Sequence, residues 1–183
     1  MVAVLIFTFY LLLIREKLDD QLGFFFGEDK KKEIGKFIDQ LEIRLGGWAR
    51  GEIILMALIG LLNFIGLTLL GIPFALPLAI LAGLLEIIPV LGPFIAGIPA
   101  VVIGLSISPI MAVAVAALAF FAQQLENYVF VPKIMEKSVG VNPIITLIAL
   151  SIGFRLLGVV GAIISVPVVL TLHVLISRQF QTK

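Results

Sequence analysis

The stretch Ile53-Ile54-Leu55-Met56-Ala57-Leu58-Ile59-Gly60-Leu61-Leu62-Asn63-Phe64-Ile65-Gly66-Leu67-Thr68-Leu69-Leu70 decides the fold. Only Asn63 and Thr68 are polar in it. At ~1.5 Å of rise per residue a helix of this length reaches roughly 27 Å, close to the hydrocarbon thickness of a bilayer. The sequence therefore predicts a membrane-spanning helix, begun by Arg50-Gly51-Glu52 and ended by Gly71-Ile72-Pro73. Composition extends that reading to the whole chain. Hydrophobic residues make up 61% of the 183 and charged residues 14%, against roughly half and about a quarter in a soluble domain. The expected fold class is all-α: a polytopic transmembrane helical protein with broken or re-entrant helix pairs and an amphipathic interfacial helix.

Before the span, the charges are concentrated. Eight of the 13 Lys and Arg fall between Arg15 and Arg50, mixed with eight acidic residues. Within that connection Ile34, Phe37, Ile38, Leu41, Leu45 and Trp48 recur at helical spacing, and Lys36, Asp39, Glu42 and Arg44 fill other positions, the pattern of an amphipathic helix lying on a membrane surface or on a partner. Gly46 and Gly47 are expected to interrupt it. Met1 opens into an apolar run, Val2 to Leu13, with no basic leader region or small-residue cleavage site; it reads as a shortened transmembrane helix. The expected organisation is 1–14 transmembrane helix, 15–50 charged connection, 51–178 transmembrane transport region and 179–183 tail.

Beyond the span lie two broken apolar segments. Pro73 to Ser108 is interrupted by Ile88-Pro89-Val90-Leu91-Gly92-Pro93, and Pro143 to Ile176 by Arg155-Leu156-Leu157-Gly158. Each could be a pair of tilted helices or a re-entrant hairpin. Between them Ile110 to Val131 is long enough to span, and Pro132 with the polar Lys133 to Asn142 closes it. The two segments resemble each other: Pro89-Val90-Leu91-Gly92 aligns with Gly158-Val159-Val160-Gly161, placing Glu86 and Arg155 at equivalent positions, six residues before the shared glycine. That equivalence predicts that Glu86 and Arg155 approach each other or share a cavity at the membrane midplane. If each segment returns to the side it left, the basic residues before Arg50, at Lys133 and Lys137 and at Arg178 and Lys183 share one face, which the positive-inside rule makes cytoplasmic.

Several function classes drop out. Net charge is +1, which offers no basic face for nucleic acid. Without cysteine, and with His173 as the one histidine, no metal site of the Cys/His kind or other cofactor is expected. Neither H-E-x-x-H nor G-x-S-x-G occurs, nor the phosphate-binding G-x-x-x-x-G-K-[ST], so the chain is not expected to be an enzyme or to hydrolyse ATP. The candidate transport-pathway residues are those whose polarity or backbone chemistry is costly in lipid: Glu86 beside the break at Pro89, Gly92 and Pro93; Gln123, Gln124, Glu126 and Asn127 in the second half of their helix, with Gln123, Glu126 and Asn127 on one face by their spacing; and Arg155. Each has a plainer alternative: capping for Glu86, interhelical hydrogen bonding for the Gln/Glu/Asn group, and snorkelling for Arg155. His173 reads as structural or interfacial.

Taken in order, Leu85-Glu86-Ile87-Ile88-Pro89-Val90-Leu91-Gly92-Pro93, Ile98-Pro99-Ala100, Gln124-Leu125-Glu126-Asn127 with Pro132-Lys133-Ile134-Met135, Ser138-Val139-Gly140-Val141-Asn142-Pro143, and Leu157-Gly158 to Val166-Pro167 resemble the C-terminal half of the autoinducer-2 exporter-like (AI-2E) transporter family. Family members are about twice this length, so the chain reads as a fragment or a shortened member. The resemblance implies export of a small, autoinducer-like molecule across the bacterial cytoplasmic membrane, driven by a gradient or passive, with sodium/proton antiport as the alternative. A non-transporting membrane scaffold is a third reading. The expected partners are the lipid bilayer and a small-molecule or cation substrate, with no nucleic acid, and a homo-oligomer is compatible with the sequence.

Overall fold

The computed structural model of the chain describes residues 28–88, 91–135 and 143–181; Pro89, the Val2 to Leu13 run, Lys137 and Lys183 lie outside them. All the regular structure described is helical: α1 Glu28–Leu69, α2 Ala75–Leu85, α3 Leu91–Ile107, α4 Pro109–Leu125, a π-helical turn Glu126–Phe130 that runs into α5 Val131–Met135, and α6 Pro143–Gln181. Three stretches, Ile34–Leu69, Pro109–Met135 and Ile144–Ser177, are long and apolar enough to cross a membrane. The chain divides into two units, Met1–Glu42 and Ile43–Lys183. In the first, Ile34, Phe37, Ile38 and Leu41 are half-buried while Lys36, Asp39, Gln40 and Glu42 are exposed, as their helical spacing requires. Gly46 and Gly47 do not interrupt α1; two glycines weaken a helix by roughly 2 kcal/mol together, less than its neighbouring hydrogen bonds and packing return.

Within the Ile43–Lys183 unit, α1 stops where the sequence places the stop. Gly71 takes a left-handed conformation, φ 68°, its N–H bonds the Thr68 carbonyl at 3.0 Å, and the Ile72 N–H bonds the Leu67 carbonyl at 2.9 Å. This is a Schellman cap, and its usual apolar contact is present: Leu67 and Ile72 belong to one buried cluster with Leu78, Ala100 and Val115. Helix α4 begins as cleanly, with Pro109 in its first turn and the Ser108 hydroxyl accepting from the Met111 N–H at 3.2 Å. Gly51 lies against Met135 and Gly66 against Leu118, so α1 runs antiparallel to α4 and α5.

Both broken segments are helical hairpins. The first, α2 and α3, leaves from the end of α1 at Leu69 and returns to the start of α4 at Pro109; its turn is closed by the Ile88 N–H on the Leu85 carbonyl and the Gly92 N–H on the Ile88 carbonyl. Gly92 packs so closely on the Leu85 carbonyl that no Cβ fits. The second hairpin is α6 itself, bent at Gly158, whose φ of 61° and ψ of −141° are non-helical and favour glycine. Its two arms meet where Gly153 abuts the Gly161 carbonyl and where the Ser165 hydroxyl donates to the Ala149 carbonyl at 3.0 Å. Arg44 and His173 are joined at 2.9 Å, which sets the open end of this hairpin beside α1 before Gly51. The two hairpins thus enter the bundle from opposite ends, and Ile88 at the first turn packs on Leu150 and Ala162 of the second.

Candidate functional site

Three helices bring carboxyls together inside the bundle. Glu86 caps the C-terminus of α2, its N–H bonded to the Ala82 carbonyl at 3.2 Å, and the turn that follows carries it inward until 3% of its surface is exposed. Glu126 opens the π-helical turn and is 7% exposed; Glu52, in α1, is 7% exposed. The Glu86 and Glu126 carboxyls meet at hydrogen-bonding range, and Glu52 lies within electrostatic range of both. A carboxylate only accepts hydrogen bonds, so a bond between two carboxyls requires a proton on one of them. The Glu86 Oε2 atom is enclosed and has no hydrogen-bond partner among the described residues. A buried, unpaired polar atom is costly.

Glu126 follows buried Ala122 by four residues, so the helical spacing of α4 turns it inward, and the π-helical turn lets the helix run on beyond it. Pro132 has no N–H and its ring crowds the carbonyl four residues earlier; one extra residue in the preceding turn relieves that conflict, and the Val131 N–H reaches back to the Glu126 carbonyl. Helix therefore continues past Pro132 to Met135, rather than closing there. Gln123 supports the site, its Nε2 donating to Glu126 Oε2 at 2.9 Å. Asn127, which shares a face with Gln123 and Glu126 by helical spacing, is exposed, and Gln124 is half-buried.

The expected pairing of Glu86 with Arg155 does not occur. Glu86 faces Glu126 and Glu52, while Arg155, at the turn of the second hairpin, is exposed and makes no ion pair among the described residues. The hairpins enter from opposite ends, but their turns overlap side by side through Ile88, Leu150 and Ala162, which leaves the second turn beyond the first. Glu52 was missed by the sequence reading because it stands at the expected edge of the span, next to Arg50, where a charge needs no explanation. Its signal was helical spacing: Glu52, Leu55 and Ile59 share a stripe and all are buried. Gly92 is buried and Pro93 half-buried, and Pro93 lines a small chamber with Gln123 and Glu126. No three acidic or imidazole groups among the described residues converge as a metal site.

The sequence profile described as AI-2E family transporter matches residues 1–180. Among curated relatives, the chain is 28% identical over 168 residues to "Putative transport protein YrrI" of Bacillus subtilis, covering 92% of this chain and 48% of that protein. It is 30% identical over 175 residues to the similarly named YtvI of the same organism, covering 93% and 47%. With MT0215 of Mycobacterium tuberculosis, also so named, identity is 38% over 105 residues, covering 57% of this chain and 29% of that protein. The chain spans about half the length of the first two. No solved structure matches it significantly.

Proposed function

Because the chain belongs to the AI-2E transporter family, a family of membrane proteins, we propose that it takes part in gradient-driven solute transport, with Glu86 and Glu126 as the groups that load and release a proton and Glu52 as their electrostatic partner. One observation carries the reading: Glu86 and Glu126 are buried against each other, with buried Glu52 within electrostatic range, and no basic side chain among the described residues is paired to them. An ionisable group in lipid costs at least about 2.5 kcal/mol, and packing alone gives no reason to gather three. That the relatives are bacterial supports placing the chain in the bacterial cytoplasmic membrane, and the positive-inside rule supports placing Arg44 and Arg50 on its cytoplasmic side.

The size of the neighbouring space favours an ion over an organic molecule at this point in the chain. The chamber beside Glu126 has about 30 Å³, whereas pockets for organic ligands run to roughly 300 Å³ and more. The carboxyls thus serve the coupling ion, whether the solute exported is autoinducer-like or the exchange is of sodium for protons. Reconstitution in vesicles holding a pH-sensitive dye tests this. Glu86→Gln and Glu126→Gln should each lower proton flux by about tenfold or more, a loss of about 1.4 kcal/mol or more in the transition state, and Glu52→Gln by less. Undiminished flux in Glu86→Gln and Glu126→Gln would leave the scaffold reading in its place, in which neutral replacements inside the membrane are tolerated.

A further inference from the structure

The chamber of about 30 Å³ lies within the Ile43–Lys183 unit between α1, α2, α3 and α4. Asn63, Gln123 and Glu126 are its polar lining, and small residues such as Ala96, Gly97 and Ala119 make much of the remainder. A water molecule needs on the order of 10–15 Å³ of such space and two to four polar partners. The volume fits about two waters, and the partners are present. Asn63 spends one amide hydrogen on the Ile59 carbonyl at 2.9 Å, which leaves its oxygen and its second hydrogen for a ligand. Gln123 spends one on Glu126 and keeps its own oxygen. One turn of α1 beyond Asn63, on the side away from Glu126, Leu67, Leu78 and Val115 shut the chamber; they are 2%, 6% and 1% exposed.

We infer that this chamber holds the water through which protons reach Glu126, that Asn63 positions that water, and that Leu67, Leu78 and Val115 form an apolar gate toward the Leu69 and Pro109 end of the bundle. The inference rests on the proton-carrying role given to Glu86 and Glu126. Water bonded to Asn63, Gln123 and Glu126 supplies a continuous chain of donors and acceptors, which is what proton movement needs. An apolar constriction one turn away stops that chain by excluding water. Asn63 has no basic or acidic function of its own here, so it is a positioning residue. Its amide offers both a donor and an acceptor to the same water, a pairing that a leucine of similar size cannot make.

Gly97 gives the sharpest probe. Gly97 lines the chamber and a Cβ added there would meet no atom within 4 Å, so Gly97→Val adds bulk at the chamber wall without displacing backbone, and Gly97→Ala should melt no lower than the parent because alanine suits a helix better. In vesicles with a pH-sensitive dye, Gly97→Val and Asn63→Leu should lower proton flux about tenfold, Asn63→Ser should keep most of it, and Leu67→Ala should raise proton leak several-fold. Infrared difference spectra in ordinary and heavy-oxygen water should show internal water in the parent chain and lose it in Gly97→Val. Full flux in Gly97→Val and Asn63→Leu, with Glu126→Gln inactive, would overturn the inference and leave the carboxyl mechanism standing. Flux that survives Glu126→Gln would overturn the mechanism itself. Absence of internal-water bands from the parent would overturn the inference whatever the flux.

Discussion

At the turn of the first hairpin a carboxyl is buried to 3% exposure, whereas at the turn of the second a guanidinium stands exposed beside Leu156 and Leu157, which are 74% and 66% exposed. Each turn is pinned by a glycine against a carbonyl. Their surroundings differ. The first turn is met by the π-helical turn carrying Glu126 and by α1 carrying Glu52, while Arg155 has no such neighbours among the described residues. What a side chain at a hairpin turn meets is fixed by the elements around the hairpin, and among the described residues only the first hairpin has α1 and α4 around its tip.

The largest effects should come from what the hairpins share. A Cβ at Gly92 would overlap the Leu85 carbonyl, and one at Gly161 would overlap the Gly153 carbonyl; backbone cannot give way as a side-chain end can. Gly92→Ala and Gly161→Ala are each expected to destabilise the chain by roughly 3 kcal/mol or more, read as a lowered thermal midpoint in detergent. Parent-like melting in one of the two would break the likeness between the hairpins at that turn.

A smaller and sharper effect separates them. Glu86 and Glu126 are in contact, so a double-mutant cycle on proton flux with Glu86→Gln and Glu126→Gln should show a coupling of about 0.5–3 kcal/mol. The cycle of Glu86→Gln with Arg155→Gln should be additive to within about 0.5 kcal/mol, and Arg155→Gln alone should leave flux near the parent level. Coupling in the second cycle would restore the pairing that the sequence repeat suggests.

Much of this architecture was legible beforehand, and the physical reasons are particular. The membrane class followed from Ile53 to Leu70, the α1 stop from Gly71-Ile72-Pro73, and both hairpin turns from Pro/Gly breaks in apolar runs, because these are local backbone rules. Glu86 and Glu126 stood out for the same kind of reason, as ionisable groups in apolar helices. Their mutual contact was not legible, since it depends on which turn reaches which helix. Glu52 went unnoticed because a glutamate at a span's edge looks ordinary until a second helix covers it. The Arg44 to His173 bond joins residues 129 apart in sequence, and no periodicity announces such a contact.

The smallest expected effect tests how the second hairpin is held. Ser165 is 5% exposed, and its hydroxyl reaches the Ala149 carbonyl on the opposite arm as well as the Gly161 carbonyl on its own, at 3.0 and 2.6 Å. One hydroxyl hydrogen serves both acceptors, so the bond across the hairpin is a shared one, and both carbonyls are backbone acceptors with a second lone pair. Ser165→Ala should therefore destabilise by about 1 kcal/mol, within the usual range for a single hydrogen bond. Ser151→Ala supplies the control: Ser151 is exposed and its hydroxyl bonds the Leu147 carbonyl of its own arm at 2.9 Å, so its loss should change stability by less than about 0.5 kcal/mol. Equal effects from the two would mean that the arms are held by the Gly153 and Gly161 contact alone. A larger loss from Ser165→Ala would make this hydroxyl a tie across the second hairpin, where the first relies on the close fit of Gly92 against Leu85.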